Sequence, residues 1–255
     1  MINIIYAMHS GPRSEQEDAL LVGGKIIQEA DLAPVYRKIS ANIPFIAAVC
    51  DGMGGHARGQ WASSFVCERL SLQPTPKNSE EILARLRSIQ KEMAPDAKHG
   101  DRTRAPEGTT MAGLLMNSQG VLAFNTGDSR VYHLSNEGGC RRVSQDHTLV
   151  QSLVDKGRMT LEEARVYPYR NIVEFGFGPV FTSAWKGGHF APHIEHIPVN
   201  EGVWLVCSDG VHGVLEDKEI VELLTPPSTE GADKLVKRLE SDASDNFSFI
   251  LLWKS

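Results

Sequence analysis

The sequence has 255 residues, of which 41% are hydrophobic and 23% charged, and its formal net charge is −6. A chain of this length can bury a substantial core, and this composition is typical of water-soluble globular proteins. The acidic balance argues against a nucleic-acid-binding protein, because such domains usually carry a basic face. No apolar run approaches the roughly 18 residues that a membrane-spanning helix needs, so a membrane protein is not expected either.

The compartment is predicted from two further features. The short apolar run at the start has no basic region before it, so we do not expect a secretory signal peptide. Cys50, Cys67, Cys140 and Cys207 are widely spaced and form no CxxC pair. Reduced thiols and a cytoplasmic location are therefore expected.

Three elements are predicted in the first part of the chain. The apolar run FIAAVC at 45–50 predicts a strand. Helical periodicity follows over 57–72, because apolar residues recur four positions apart. These residues are Trp61 with Phe65 and Ala62 with Val66. A second helix is predicted over 80–94, after the sequence SEEI, which is typical of a capping box beginning at Ser79.

The middle of the chain predicts hairpins followed by short helices. MAGLLMN (111–117) and GVLAFNTG (120–127) are strand-like and flank NSQG, whose Asn and Gly suit a tight turn. RVYHLS (130–135) is a third strand and precedes a second turn sequence, SNEGG. Two short helices are predicted beyond it, over 147–157 and 160–167.

The last quarter predicts two more strands, 203–208 and 247–253, with helices over 216–224 and 231–243 between them. The hairpins indicate antiparallel sheets, because parallel sheets need strict alternation of strand and helix. No internal repeat or low-complexity segment interrupts the chain. A single domain over 1–255 is therefore predicted.

Acidic residues stand at the edges of these strands. VCDG (49–52) and VCSDG (206–210) end two strands in the same way, with an aspartate followed by glycine. Any one of these aspartates alone would be explained as a turn residue, since Asp-Gly is a common turn pair. Their number indicates a site, because strand ends can converge in one cleft. The acidic residues at strand edges are Glu17, Asp18, Asp51, Asp128, Asp209 and Asp245.

Clustered carboxylates repel one another unless a cation lies between them. Sites made of oxygen ligands alone suit Mg²⁺ or Mn²⁺. Two such ions that share a carboxylate can hold a bridging water, lower its pKa and orient it for attack on phosphorus. Gly52 fits this interpretation, because without a Cβ its carbonyl can approach a metal closely.

The motifs together resemble those of one enzyme family. RSEQEDA resembles an R-x-x-N-E-D element, VCDGMGGHARGQWAS a D-G-M-G-G-H-x-x-G-x-x-A-S element, and GTTM with NTGDSRVY the next two. DHTLVQSLVDKGRMTLEEA, LVCSDGVHGVLEDKEI and DNFSFILL complete the series in order and spacing. From about residue 9 to 253 the sequence is similar to the metal-dependent protein phosphatases, the PPM or type 2C family, in their bacterial form.

The resemblance implies an α+β fold, a four-layer α-β-β-α sandwich of two packed antiparallel sheets flanked by helices, with a flap segment at about 147–190. It implies a protein serine/threonine phosphatase that uses a water bridging two Mn²⁺ or Mg²⁺ ions, with a weaker third metal site. The expected partners are phosphorylated proteins and an opposing bacterial serine/threonine kinase, with no nucleic acid and no membrane.

The resemblance also implies roles for the acidic residues. Asp51 is expected to bridge the two core ions, and Asp209 and Asp245 to hold one of them. Glu17 and the carbonyl of Gly52 are expected to orient the other ion, partly through water.

Four residues complete the implied site. Asp18 is expected to accept hydrogen bonds from metal-bound waters, and Asp128 to form the third metal site with Asp209. Arg13 can present a planar fork to two phosphate oxygens, and His56 is placed to protonate the leaving seryl or threonyl oxygen. The alternatives are a solvated surface charge for Arg13 and a helix cap or core residue for His56.

Three features depart from the family pattern. Gln16 replaces an asparagine, which keeps the amide and should cost little. Glu174 and Phe175 replace polar and basic residues beside the flap, so this departure concerns substrate preference and not the chemistry. The segment 24–44 is longer than a hairpin connection, and we interpret it as a lengthened strand pair in preference to a partner surface.

Histidines outside these motifs compete as candidate sites. His189, His193 and His196 have a spacing that metal ligands use, but no cysteine is near and Pro192 breaks any helix. A histidine-bearing surface loop is favoured over a zinc site. His212 is predicted close to the cleft, where it either contacts substrate or serves as a turn residue.

Two other functions compete with protein dephosphorylation. An inactive relative could bind phosphoproteins as a scaffold, but such a protein would be expected to lack a metal carboxylate, and none is missing here. A phosphatase of small phosphorylated metabolites would need the same two-metal site, so the sequence leaves this alternative open.

Overall fold

The computed structural model describes residues 1–40, 44–54, 57–94, 107–135, 139–198 and 201–254. Over these residues the chain forms fourteen strands, of which twelve lie in two antiparallel six-stranded sheets. In chain order they are β1 (Ile2–His9), β2 (Ala19–Val22), β3 (Lys25–Ile27), β4 (Asp31–Ile39), β5 (Phe45–Cys50), β6 (Gly52–Met53), β7 (Gly108–Thr109), β8 (Met111–Asn117), β9 (Gly120–Thr126), β10 (Arg130–Leu134), β11 (Cys140–Arg142), β12 (His193–Ile197), β13 (Val203–Cys207) and β14 (Phe247–Lys254).

The two sheets pack face to face. One has the strand order β11-β10-β13-β14-β1-β4 and the other β12-β9-β8-β5-β2-β3, while β6 and β7 pair separately. Ile4 of β1 and Trp204 of β13 belong to the same buried cluster as Leu114 of the opposite sheet. Ile5, one residue along β1, belongs instead to a core on the outer face, because successive side chains of a strand point to opposite faces.

Helices cover both outer faces. In chain order they are α1 (Ala57–Ser71), α2 (Ser79–Met93), α3 (Leu149–Asp155), α4 (Leu161–Val166), α5 (Thr182–Gly187), α6 (Asp209–His212), α7 (Asp217–Leu224) and α8 (Thr229–Asp242). Val66 of α1 and Leu86 of α2 pack on one sheet with Leu115, and Ile220 of α7 and Leu235 of α8 pack on the other. The predicted four-layer α-β-β-α sandwich is confirmed.

The predicted strands and hairpins are confirmed. Asn117 lies opposite Gly120 where β8 turns into β9, at the predicted NSQG turn. Strands β10 and β11 also pair in antiparallel fashion, with Leu134 opposite Cys140. Residues 136–138 of that second turn lie outside the described residues.

The six predicted helices form, with two local corrections. The cap of α2 is Asn78, whose Oδ1 accepts the backbone N–H of Glu81 at 2.9 Å, so the capping box predicted at Ser79 is wrong by one residue. Of the apolar pairs predicted on α1, Ala62 and Val66 are buried in the core. Trp61 is 46% exposed and instead contacts Phe65 on the surface.

Three segments differ from the sequence predictions. Strand β1 shows no polar alternation, because both of its faces are buried, and so the period-2 signal is absent. The segment 24–44 was expected to form one lengthened strand pair, but β3 pairs with β2 in one sheet and β4 with β1 in the other. His193 and His196 lie in edge strand β12, paired with β9, so the surface loop expected there is wrong.

Among the described helices, none is both long and apolar enough to cross a membrane. The four cysteines, Cys50, Cys67, Cys140 and Cys207, form no disulfide in the described structure.

Candidate metal centre and phosphate site

An acidic cleft of about 510 Å³ opens where strand ends of both sheets meet. The loop after β1, the ends of β5, β9 and β13 and the start of β14 each contribute residues to it. Seven of the nine predicted site residues line this cleft, namely Arg13, Glu17, Asp51, Gly52, Asp128, Asp209 and Asp245. Asp18 is fully buried next to the cleft-lining Glu17, and His56 lies outside the described residues.

Asp51 follows the buried strand β5 and is held through its backbone. Its carbonyl oxygen accepts the N–H of Thr110 at 2.9 Å and the hydroxyl of Thr109 at 2.8 Å. These bonds occupy the backbone and leave the carboxylate facing the cleft. Neither threonine was predicted as a site residue, although both stand in the GTTM motif.

Two glycines allow the backbone to close tightly around Glu17. A Cβ on Gly52 would overlap the backbone of Gly59 and lie 2.6 Å from the carbonyl oxygen of Glu17. A Cβ on Gly59 would lie 2.8 Å from the Glu17 carboxylate oxygen Oε2. Glycine was expected at 52 to expose a carbonyl to a metal, but close backbone packing alone already requires it.

The side chain of Asn246 ties the loop after β1 to the start of β14. Its Oδ1 accepts the N–H of Glu17 at 2.8 Å. Its Nδ2 donates to the carbonyl oxygens of Ser10 at 2.8 Å and Glu15 at 2.9 Å. Asn246 was not predicted as a site residue, although its position directly after Asp245 and its donor–acceptor amide were available signals.

Arg13 lies at the edge of the cleft, where its Nη2 donates to Asp245 Oδ2 at 2.6 Å. The two side chains are 57% and 42% exposed, so this ion pair contributes little to stability. Its importance is positional, because it holds a guanidinium beside the predicted metal ligands.

Asp18 lies behind the cleft in a closed environment. Ser208 donates its hydroxyl to Asp18 Oδ2 at 2.9 Å, and Ser208 in turn accepts the N–H of Ser248 at 3.0 Å. The other oxygen, Oδ1, is buried with no hydrogen-bond partner among the described residues. Burial raises the pKa of Asp18 to about 7.

Asp128 presents the same combination of burial and an unpaired oxygen. Its Oδ1 has no hydrogen-bond partner among the described residues, and burial raises its pKa well above the ordinary value, with the charge of Asp209 adding to the effect. His212 Nε2 donates to the backbone oxygen of Asp128 at 2.9 Å. His212 is therefore a support for Asp128, and neither of the two roles predicted for it describes this contact.

The carboxylates raise one another's pKa. Loss of hydration raises the pKa of Asp51 well above its ordinary value, and the charges of Asp18 and Asp209 reinforce the shift. Loss of hydration also raises the pKa of Asp209. Both keep part of their surface open to the cleft while protein atoms surround them on the other sides. A cation in the cleft would relieve this repulsion.

The donors around the cleft fit Mn²⁺ or Mg²⁺. They are carboxylate and carbonyl oxygens, which hard divalent cations prefer, and the unpaired oxygens of Asp18 and Asp128 lack any other partner in the described structure. Across the described ranges, no three acidic, His or Cys side chains converge into a ready-made metal cage. The carboxylates instead surround a cleft that is large enough for ions together with water.

A packed aromatic cluster anchors the segment 147–190 beside the cleft. Phe175 is fully buried, with its ring centroid 4.8 Å from that of Trp185, 5.8 Å from Phe190 and 5.2 Å from His147. Aromatic pairs at these separations add to the stability that burial provides. The unusual Phe175 is thus a core residue of this segment.

Glu174 contributes to the same anchoring. Its Oε2 accepts the hydroxyl of Ser152 on α3 at 2.5 Å, and its backbone N–H donates to the carbonyl of His147 at 2.9 Å. Asn171 and Val173, just before it, line the cleft. The departure at Glu174 and Phe175 therefore fixes how this segment meets the cleft.

Known proteins resemble this chain in sequence and in fold. Residues 35–251 match the family described as Protein phosphatase 2C. Serine/threonine phosphatase stp of Listeria monocytogenes is 30% identical over 219 residues, which are 81% of this chain and 83% of that protein. Serine/threonine protein phosphatase PstP of Mycobacterium tuberculosis is 31% identical over 81% of this chain, but the chain spans 40% of that protein's length.

The solved catalytic domain of PstP in complex with two manganese ions has the same fold. The TM-score is 0.72, the identity is 25%, and the match covers 99% of this chain and 98% of that one.

Proposed function

We propose that this chain is a metal-dependent phosphatase of phosphoserine and phosphothreonine in proteins. The chain belongs to the protein phosphatase 2C family. The two named relatives are serine/threonine phosphatases, and a catalytic domain with this fold was solved with two manganese ions. The proposed activity is hydrolysis of a phosphoric monoester.

The observation that carries the proposal is the acidic cleft with a guanidinium at its edge. Asp51, Asp128 and Asp209 line one cleft and have raised pKa values because they are poorly hydrated. Carboxylates arranged in this way need a cation, and a phosphate ester would be repelled without one. Arg13, ion-paired with Asp245 at 2.6 Å, adds a fixed positive charge at the edge.

The residues proposed to hold two ions are Asp51, shared by both, with Asp209 and Asp245 on one side and Glu17 and the Gly52 carbonyl on the other. When bound, the ions neutralise the carboxylates, polarise the phosphoryl group and lower the pKa of the attacking water.

The remaining acidic residues are given supporting roles. Asp18, with one unpaired oxygen, is proposed to orient water through hydrogen bonds. Asp128 is proposed to hold a third, weaker ion together with Asp209.

Two residues are proposed to act on the substrate. Arg13 can bind two phosphoryl oxygens with its planar guanidinium and hold the group in the cleft. His56 is proposed to donate a proton to the leaving oxygen, a role that histidine side chains commonly perform as general acids. His56 lies outside the described residues, so its role is based on the sequence motif alone.

The proposed setting is a bacterial cytoplasm, where the enzyme opposes a serine/threonine kinase by dephosphorylating its protein substrates. The free thiols of all four cysteines support a reducing compartment.

The decisive experiment is hydrolysis of a phosphothreonine peptide by protein that EDTA has stripped of metal, with and without added Mn²⁺. We expect activity only with Mn²⁺, and a loss of at least about 100-fold in the Asp209→Asn variant. The matched control is Asp233→Asn, which makes the same chemical change at an exposed position of α8 and should keep wild-type activity.

Thermal unfolding of both variants checks that each is folded. Equal activity with and without metal, or equal activity in the two variants, would contradict the proposal. A wild-type protein that binds Mn²⁺ but hydrolyses sugar phosphates in preference to phosphopeptides would be a metabolite phosphatase. One that binds metal and hydrolyses neither would be a scaffold.

A further inference from the structure

Two large side chains with apolar surface are exposed in the stretch beside the cleft. Tyr169 is 60% exposed and Ile172 is 45% exposed. We call these two residues the rim pair. They stand at the two ends of one turn, because the N–H of Ile172 donates to the carbonyl of Tyr169 at 3.3 Å. Exposed apolar residues that adjoin a functional cleft commonly mark a binding surface.

The rim pair adjoins residues of the cleft wall along the chain. Ile172 stands between Asn171 and Val173, both of which line the cleft. Consecutive Cα atoms are about 3.8 Å apart, and Ile172 lies one residue and Tyr169 two residues of chain from the cleft-lining Asn171. In an extended substrate peptide each residue adds about 3.3 Å, so the residues next to the phosphorylated one lie at a similar distance from the phosphate.

The rim pair is also held in a fixed position. The carbonyl of Ile172 accepts the N–H of Leu149 at 2.9 Å, and Glu174 N–H donates to the carbonyl of His147 at 2.9 Å. The buried ring of Phe175 anchors the chain three residues beyond Ile172. A preorganised apolar surface binds with a smaller loss of conformational entropy than a flexible one.

The charge beside the rim pair suits an anionic ligand. Arg170 lies between Tyr169 and Ile172 in sequence, is exposed, and forms no ion pair with any residue that the structure describes. Arg170 also lines the adjoining pocket together with Asn171 and Asp209, so its positive charge lies close to the acidic cleft. A phosphorylated peptide carries the complementary negative charge.

We propose that the rim pair binds a bulky apolar side chain of the substrate protein, one or two residues from the phosphorylated serine or threonine. This inference depends on the proposed function, since it names the class of phosphopeptide that the same cleft accepts. The preferred substrate is then a phosphopeptide with a leucine-like neighbour, and the apolar contact raises kcat/KM because it is made in the transition-state complex as well as in the ground state.

The test compares phosphothreonine peptides of serine and glycine that carry leucine or serine at each of the two positions on either side. A blocked single phosphothreonine serves as a substrate without neighbours. We expect the best leucine peptide to exceed its serine counterpart in kcat/KM by about five-fold or more. In the double variant Tyr169→Ala/Ile172→Ala this preference should disappear, while the rate on blocked phosphothreonine stays unchanged.

Two control variants separate this contact from other effects. Tyr169→Phe/Ile172→Leu keeps the apolar surface and should keep the preference. Leu72→Ala removes a side chain of similar exposure, 49%, just beyond the end of α1, and should also keep it.

The outcomes distinguish the two proposals. Active wild-type enzyme without a leucine preference, or with a preference that survives the double alanine variant, overturns the role of the rim pair and leaves the proposed function intact. A wild-type enzyme that hydrolyses no phosphothreonine substrate overturns both.

Discussion

The acidic cleft is positioned mainly by close contacts to backbone atoms, whereas the segment 147–190 beside it is also anchored by a cluster of packed rings. In the cleft, the carbonyl of Asp51 is fixed by two threonines and the approach to Glu17 requires glycine at 52 and 59. The segment instead depends on the buried side chain of Phe175.

The two regions therefore differ in how narrowly they restrict the residue type at a position. Backbone contacts specify the residue type narrowly, because a single Cβ can block them. A packed aromatic cluster tolerates other apolar residues of similar volume. The cleft therefore matches the family motifs closely, while the neighbouring segment departs from them at Glu174 and Phe175.

The largest effect on stability is expected for Phe175→Ala. Truncation of this buried ring leaves a cavity and should lower the free energy of unfolding by about 3–5 kcal/mol. If the two regions are independent, Mn²⁺ affinity measured by calorimetry at low temperature should stay near the wild-type value. Tyr169→Ala removes an exposed ring from the same segment and should change stability by less than about 0.5 kcal/mol. Loss of Mn²⁺ affinity in folded Phe175→Ala would show that the regions form one unit.

A smaller loss of stability but a direct effect on the cleft is expected for Gly52→Ala. The added Cβ would collide with the backbone of Gly59 and crowd the carbonyl of Glu17, so we expect about 1–3 kcal/mol of destabilisation and weaker Mn²⁺ binding. Gly187→Ala is the matched control, since its Cβ would meet only a His189 side-chain atom at 3.6 Å. Unchanged metal affinity in Gly52→Ala would remove the argument that backbone fit positions Glu17.

The same distinction explains what the sequence could predict. Aspartates at strand ends are visible as motifs, and the structure brings Asp51, Asp209 and Asp245 to one cleft as the motifs suggest. The position and amide of Asn246 were visible in the sequence, but its role was not, because it joins two segments that are more than 200 residues apart. Such a contact leaves no local periodicity to detect.

The fold shows the same limits. Strands with turn signals, such as those around Asn117 and Gly120, could be predicted because their pairing is local. Strand β1 pairs with β14 from the other end of the chain, and its two buried faces remove the alternating pattern. Tertiary pairing, rather than local preference, determines such strands.

The smallest effect is expected for His147 and is limited to acidic pH. His147 is buried in the aromatic cluster, with Nδ1 3.3 Å from the carbonyl oxygen of Gly127 and Nε2 3.0 Å from that of Ala191. Burial lowers its pKa below the ordinary value of 6.5, although the two carbonyls oppose the shift.

The folded state therefore favours the neutral ring of His147. The contribution of His147 to stability is complete above pH 6.5, the pKa of the unfolded state. This contribution is lost as the pH falls towards the lower pKa that His147 has in the folded state. We expect the free energy of unfolding of His147→Gln, measured by urea titration from pH 8 to pH 5, to fall less steeply below pH 6.5 than that of the wild type. Burial also lowers the pKa of His212, to about 3, but this contribution is common to both proteins and cancels in the difference. Parallel curves would mean that the ring accepts a proton without cost, and that the anchor of the 147–190 segment is as open to water as the cleft.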